Sequence, residues 1–136
     1  MKLSPRKEPF RYGLGERGEV RAWDFLKKQG YKILEKNYRC KIGEIDVICE
    51  KDRRLIFVEV KTRTSSRFGG PEEAVTKQKQ NKMSRLAEWY VKDKKVSEQK
   101  MGFAVVAIEW GSSREPEIKL IENAFSLEQT DHEYPF

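Results

Sequence analysis

The stretch GEIDVICEKDRRLIFVEVK, residues 43–61, decides how the chain is read. Two runs rich in Val, Ile and Phe flank the charged turn Lys51-Asp52-Arg53-Arg54, the pattern of two strands joined in a hairpin. A turn centred on Asp52 and Arg53 sets Val47 against Val58, Cys49 against Ile56 and Ile45 against Val60, all on one apolar face. On the other face Ile48 meets Phe57, Asp46 meets Glu59, and Glu44 meets Lys61. Directly opposed β-carbons lie roughly 4.5–5.5 Å apart, so the Asp46 and Glu59 carboxylates need something positive between them. Lys61, two residues beyond Glu59, is one candidate, and a hard divalent cation bound by oxygens is the other. An ordinary salt-bridge ladder on a solvated sheet face is the competing reading. Ile48, Leu55 and Phe57 on that face count against it.

Outward from the hairpin, GERGEVRAWDFLKKQG places Ala22, Phe25, Leu26 and Gln29 at helical spacing and ends on Gly30, a natural C-cap. YKILEKNYR then reads as a strand, so three strands in succession form an antiparallel meander. TSSRFGG is a loop, and Pro71 fits the first position of a second helix with the apolar stripe Val75, Met83, Leu86, Ala87, Tyr90 and Val91. GFAVVAIEW is a fourth strand, and PEIKLIENAF adds a short strand or turn. The order αβββαβ predicts an α/β (α+β) fold, a single domain with a mixed central β-sheet flanked by helices. Residues 1–12, with two prolines and four basic side chains, read as a flexible basic arm, 13–127 as the folded domain, and 128–136 as an acidic tail.

A chain of 136 residues supports one core. The net charge of +6 suits a polyanionic partner, and its distribution says more. Lys77 to Lys100 holds eight basic residues against three acids, whereas Arg114 to Phe136 holds two against six. Cys40 and Cys49 are too few for a disulfide framework or a zinc site, which points to a reducing, cytoplasmic setting. The longest apolar run falls short of a membrane span, so no membrane partner is expected.

With Asp46, then Glu59, Val60 and Lys61, the sequence resembles the PD-(D/E)XK nuclease superfamily, whose signature is an acid on one strand and Asp/Glu-x-Lys on the next. The longer run of GERGEVRAWDFL, KNYRCKIGEIDVI, FVEVKTR, FGGPEEAVTKQKQNKM and AEWYV resembles the YraN family of small bacterial proteins, over roughly residues 13–127. That resemblance implies a restriction endonuclease-like fold, akin to Holliday-junction resolvases, and a metal-dependent endonuclease hydrolysing phosphodiester bonds of DNA. It implies Asp46, Glu59 and the Val60 carbonyl as ligands of Mg²⁺, with Mn²⁺ fitting the same site. It also implies Lys61 beside the attacking water, Glu19 as an additional acid, and Glu44 as a partner of Lys61 or an outer metal contact. Lys79 matches a basic family position facing a phosphate; Lys77, Lys82, Arg63 and, on the loop, Arg67 with Phe68 join it as expected nucleic-acid contacts. Ala104 stands where the family often carries an acid after the strand-four phenylalanine. Kinship alone suggests branched or junction DNA, and a homodimer after the resolvases. The alternative is a non-catalytic nucleic-acid-binding module that keeps the fold. Trp23, Trp89 and Trp110 read as core, and His132, in the acidic tail, as a poor catalytic candidate.

Overall fold

A computed structural model describes residues 14–64, 76–96, 100–111 and 115–125, and in it the hairpin is the centre of a five-stranded sheet. The chain runs α1 (Leu14–Lys28), β1 (Lys32–Cys40), β2 (Gly43–Lys51), β3 (Arg54–Arg63), α2 (Lys77–Lys94), β4 (Met101–Glu109) and β5 (Glu117–Phe125). The strands lie in sequence order, antiparallel except for β3 and β4, which run parallel. A parallel pair requires a crossover, and α2 supplies it. The expected αβββαβ order stands, with β5 a full nine-residue strand rather than a short addition. The expected arm and acidic tail lie outside the described residues, as do the loop beyond Thr64, with Arg67 and Phe68, and Val75.

The turn forms as expected: Asp52 and Arg53 both take positive φ, 52° and 65°, the pairing a two-residue hairpin loop requires to match strand twist. The register follows, with Val47 against Val58, Ile48 against Phe57 and Cys49 against Ile56. α1 ends at Gly30 (φ 96°), where the Gly30 N–H donates to the Lys27 carbonyl and the Tyr31 N–H to the Leu26 carbonyl, each at 3.0 Å. Gln29, which shares the helical spacing of Ala22 and Leu26, is exposed, and its carbonyl accepts from Lys51 Nζ at 2.9 Å. α2 begins at Lys77, where Thr76 is in extended backbone and its side chain accepts from the Lys79 N–H at 3.1 Å; Pro71, expected at the first helical position, lies outside the described residues.

The sheet separates two cores. Under α1, Ala22 and Leu26 pack on Val47, Cys49, Val58, Val106 and Ile108, all at or near zero exposure. Gly18 brings this helix close to β3, since a Cβ there would collide with Thr62 Oγ1. Under α2, Met83, Leu86, Ala87 and Tyr90 pack on Ile48, Leu55, Phe57 and Phe103, with Tyr90 edge-on to both Tyr38 and Phe57. Ser84 is fully buried on this helix, a position the apolar stripe did not include. Trp23 and Trp110 are half-buried against the α1-side core, as expected, but Trp89 is 37% exposed.

Candidate functional site

The alternation of side chains along β2 changes phase at Asp46. Ile45, expected beside Val47 under α1, packs instead in the α2-side core with Tyr38, its partner on β1. The cause lies across the ladder, where Asn37 takes positive φ (53°), a conformation Asn tolerates better than most residues. Lys36 pairs with Val47 and Tyr38 with Ile45, so Asn37 kinks β1 opposite Asp46.

Asp46 therefore does not simply face Glu59. The β2–β3 ladder stops at Val47 and Val58, and the Val60 N–H donates to Asp46 Oδ2 at 2.7 Å. A side-chain oxygen has taken the place of the Ile45 carbonyl that a continued ladder would offer. The two strands part here, and their mouth opens as a cavity of about 490 Å³ under the first turns of α2. Asp46, Glu59 and Glu44 line it from the sheet, and Thr76, Lys79 and Lys82 from the helix.

Positive charge sits on Glu59. Lys61 Nζ lies 3.1 Å and Lys79 Nζ 2.5 Å from Glu59 Oε2, whose side chain is 15% exposed. Lys61 thus partners Glu59, one of the two expected answers to the charged strand, and Lys79 joins it. Burial acts to lower the Lys79 pKa, but its bond to Glu59 prevails and the ammonium is held above its ordinary value. Burial pushes the Asp46 carboxyl above the usual aspartate range; the Val60 N–H opposes this, while Glu59 and Glu44 add to it.

Glu44 departs from its expected pairing with Lys61. It lies opposite Arg39 and forms an ion pair with Arg39 Nε at 3.0 Å. Glu19 is half-buried on α1, next to the Gly18 contact with Thr62, and the described lining of the cavity takes no residue from that helix. Lys82 leans over Gly43, where a Cβ would come within 3.1 Å of its Cε. Arg63 is half-buried at the end of β3, its carbonyl accepting from the Trp110 N–H at 2.8 Å, and Lys77 is exposed at the start of α2. Among the described residues no group of three His, Cys, Asp or Glu side chains is close enough together to hold a metal ion by itself. Sequence reasoning missed Thr76 and Arg39; Thr76 was legible as a Thr three residues before Lys79, a cap spacing hidden by the pull of Pro71.

Residues 18–108, a span that contains every one of these acids and lysines, match the uncharacterised protein family UPF0102, the YraN family. The chain belongs to that family. UPF0102 proteins of Caldicellulosiruptor saccharolyticus (46% identical over 113 residues, 82% of this chain and 96% of the relative) and Geotalea daltonii (46% over 114 residues, 84% and 90%) are similar to it. So is one of Syntrophomonas wolfei, 47% identical over 114 residues, 82% of this chain and 96% of the relative. No helix among the described residues is long and apolar enough to cross a membrane.

Proposed function

We propose that this UPF0102 protein is a divalent-metal-dependent nuclease that hydrolyses phosphodiester bonds of DNA. One observation carries the reading: Asp46 and Glu59 line one cavity, with the Lys61 and Lys79 ammoniums on Glu59. The donors fit a hard cation. Asp46, Glu59 and the Val60 carbonyl offer oxygen alone, and Mg²⁺ keeps several of its own waters, so two carboxylates suffice. Mn²⁺ suits the same set. The ion, when bound, supplies charge stabilisation at the phosphate and a more acidic water.

The chain's own residues do the positioning. The Val60 N–H fixes the Asp46 carboxylate and holds the mouth of β2 and β3 in one geometry, so little has to be ordered when substrate arrives. Lys61, tethered to Glu59, stabilises negative charge that develops on the phosphate or the attacking oxygen. Lys79 and Lys82 flank the cavity and take phosphate oxygens, Lys79 leaving Glu59 to do so. Arg63, Arg67 and Lys77 take further phosphates of the bound strand. Glu19 acts as an additional acid from α1, and Glu44, held by Arg39, as an outer contact. Branched or junction DNA as substrate, a homodimer as the working assembly and a cytoplasmic location belong to the same proposal.

Labelled single-stranded, duplex and four-way-junction DNA, incubated with Mg²⁺, Mn²⁺ or chelator, test it. Cleavage is expected with metal and is lost with chelator, in Asp46→Asn and in Glu59→Gln. A native protein that binds DNA and cuts none of these under either metal is a binding module instead.

A further inference from the structure

We propose that the cavity on the outer side of α2, lined by Ile42, Arg85, Glu88, Trp89, Lys92 and Asp93, is a second nucleic-acid subsite that holds an unpaired base of the strand bound at Asp46 and Glu59. The proposal rests on the nuclease reading of that first site and adds a substrate class: a strand with at least one unstacked nucleotide near the scissile bond.

Three large hydrophobic side chains are exposed among the described residues, Leu34, Ile42 and Trp89, and two of them line this one cavity of about 560 Å³. A half-exposed Trp presents a flat apolar face to which any base can stack. The cavity also continues the first. Ile42 lines it and the next residue, Gly43, lines the candidate site; on α2, Lys82 lines the candidate site and Arg85, nearly one turn on, lines this cavity. From Lys82 to Trp89 the helix rises about 10 Å, which corresponds to about three nucleotides at roughly 3.4 Å per stacked step.

Charge suits a strand lying along this track. The α2 residues exposed beside it, Lys82, Arg85 and Lys92, present cations for the backbone, and Lys41 is exposed next to Ile42. The two acids in the lining do not repel such an occupant in the way they would repel a bare phosphate. Asp93 accepts a hydrogen bond from the Tyr38 hydroxyl at 2.9 Å, and Glu88 is an acceptor of the kind that pairs with the exocyclic amines of bases. A neutral ring between Trp89 and Ile42, with phosphates directed to Lys82 and Arg85, suits both the apolar side chains of this cavity and the cations along the track.

Fluorescence anisotropy in chelator, with labelled single-stranded DNA and a blunt duplex, reads binding without cleavage. Trp89→Ala should weaken single-strand binding by roughly 5- to 100-fold, the scale of one base–aromatic stack, and leave the blunt duplex unchanged. Trp89→Phe should keep most of the single-strand affinity, with thermal melts confirming that both variants fold. Equal single-strand affinity in Trp89→Ala and the native protein overturns the subsite while leaving the nuclease reading intact. A loss that tracks a change in sedimentation, showing that Trp89 joins two protein chains, overturns it as well. Native protein that binds neither DNA takes down the nuclease reading and this subsite together, whereas Trp89-dependent binding without metal-dependent cutting supports the subsite and removes only the catalysis.

Discussion

The two faces of the sheet are built from the same strands and end differently. Under α1 the buried core is apolar, and Cys49 and Tyr31 in it stay neutral: Cys49, buried, is pushed up to about 12, and Tyr31 donates to Glu122 at 2.9 Å beside a smaller cavity of about 210 Å³ whose charged residues Lys51, Asp52 and Arg54 lie at the hairpin turn. Under α2 the core of Phe57, Phe103 and Tyr90 stops at Asp46 and Glu59, where charge gathers at an open cavity. Burying Asp46 while two lysines crowd Glu59 is a cost that stability alone does not explain, since paired buried charges contribute little against an apolar replacement. Both faces bury a core, and the α2 face alone brings Asp46 and Glu59 to the candidate site.

The contrast can be broken on either side. Leu26→Ala, in the fully buried α1 side, should cost about 2–5 kcal/mol in urea unfolding yet leave cleavage per folded molecule unchanged. Lys61→Ala should do the reverse, lowering single-turnover cleavage by about two to three orders of magnitude with little change in the melt, because Lys61 is a third exposed and Glu59 retains Lys79. A Lys61→Ala protein that melts early and cuts at the native rate per folded molecule would make Lys61 a structural counter-ion.

The smallest expected effect sharpens the description of the α1 face. Burial, then the bond to Glu122, pushes Tyr31 from 10.0 up to about 12, and burial pushes Cys49 from 9.0 to about 12. The unfolded chain gives up these protons first, so the stability they contribute is intact below pH 9 and is lost as pH rises towards about 12. Melting temperature should fall with pH across that window, and less steeply in Tyr31→Phe, which has no such proton to lose. An equal slope in both proteins would remove Tyr31 from the explanation.

The sequence made the hairpin legible because its turn and its alternation agree: Asp52 and Arg53 set the register, and Val47, Cys49, Ile56 and Val58 confirm it. Gly30 marked the end of α1 for the same reason, a local rule with a single solution. Asp46, Glu59 and Lys61 were legible as a group, but their geometry was not. Strict alternation carried Asp46 to Glu59 and Glu44 to Lys61, and it could not anticipate that Asn37 on a neighbouring strand would shift the phase, hand Ile45 to α2 and give Glu44 to Arg39. Trp89 was misread because an aromatic at helical spacing reads as core until the width of the buried stripe is known. Lys79 was expected to face a phosphate; its ion pair with Glu59 is a contact between elements that no local pattern encodes.

Whether the end of β3 is a metal site or a salt-bridge ladder is decided most directly by calorimetric titration of Mn²⁺ into the native protein, Asp46→Asn and Glu59→Gln. Asp46→Asn keeps an oxygen for the Val60 N–H and Glu59→Gln keeps the side-chain length, so both variants should fold while losing a charged ligand. The account predicts saturable binding to the native protein and clear weakening in each variant. Equal affinity in all three, or no binding to any, would contradict it and leave Asp46, Glu59, Lys61 and Lys79 as an ion-pair cluster.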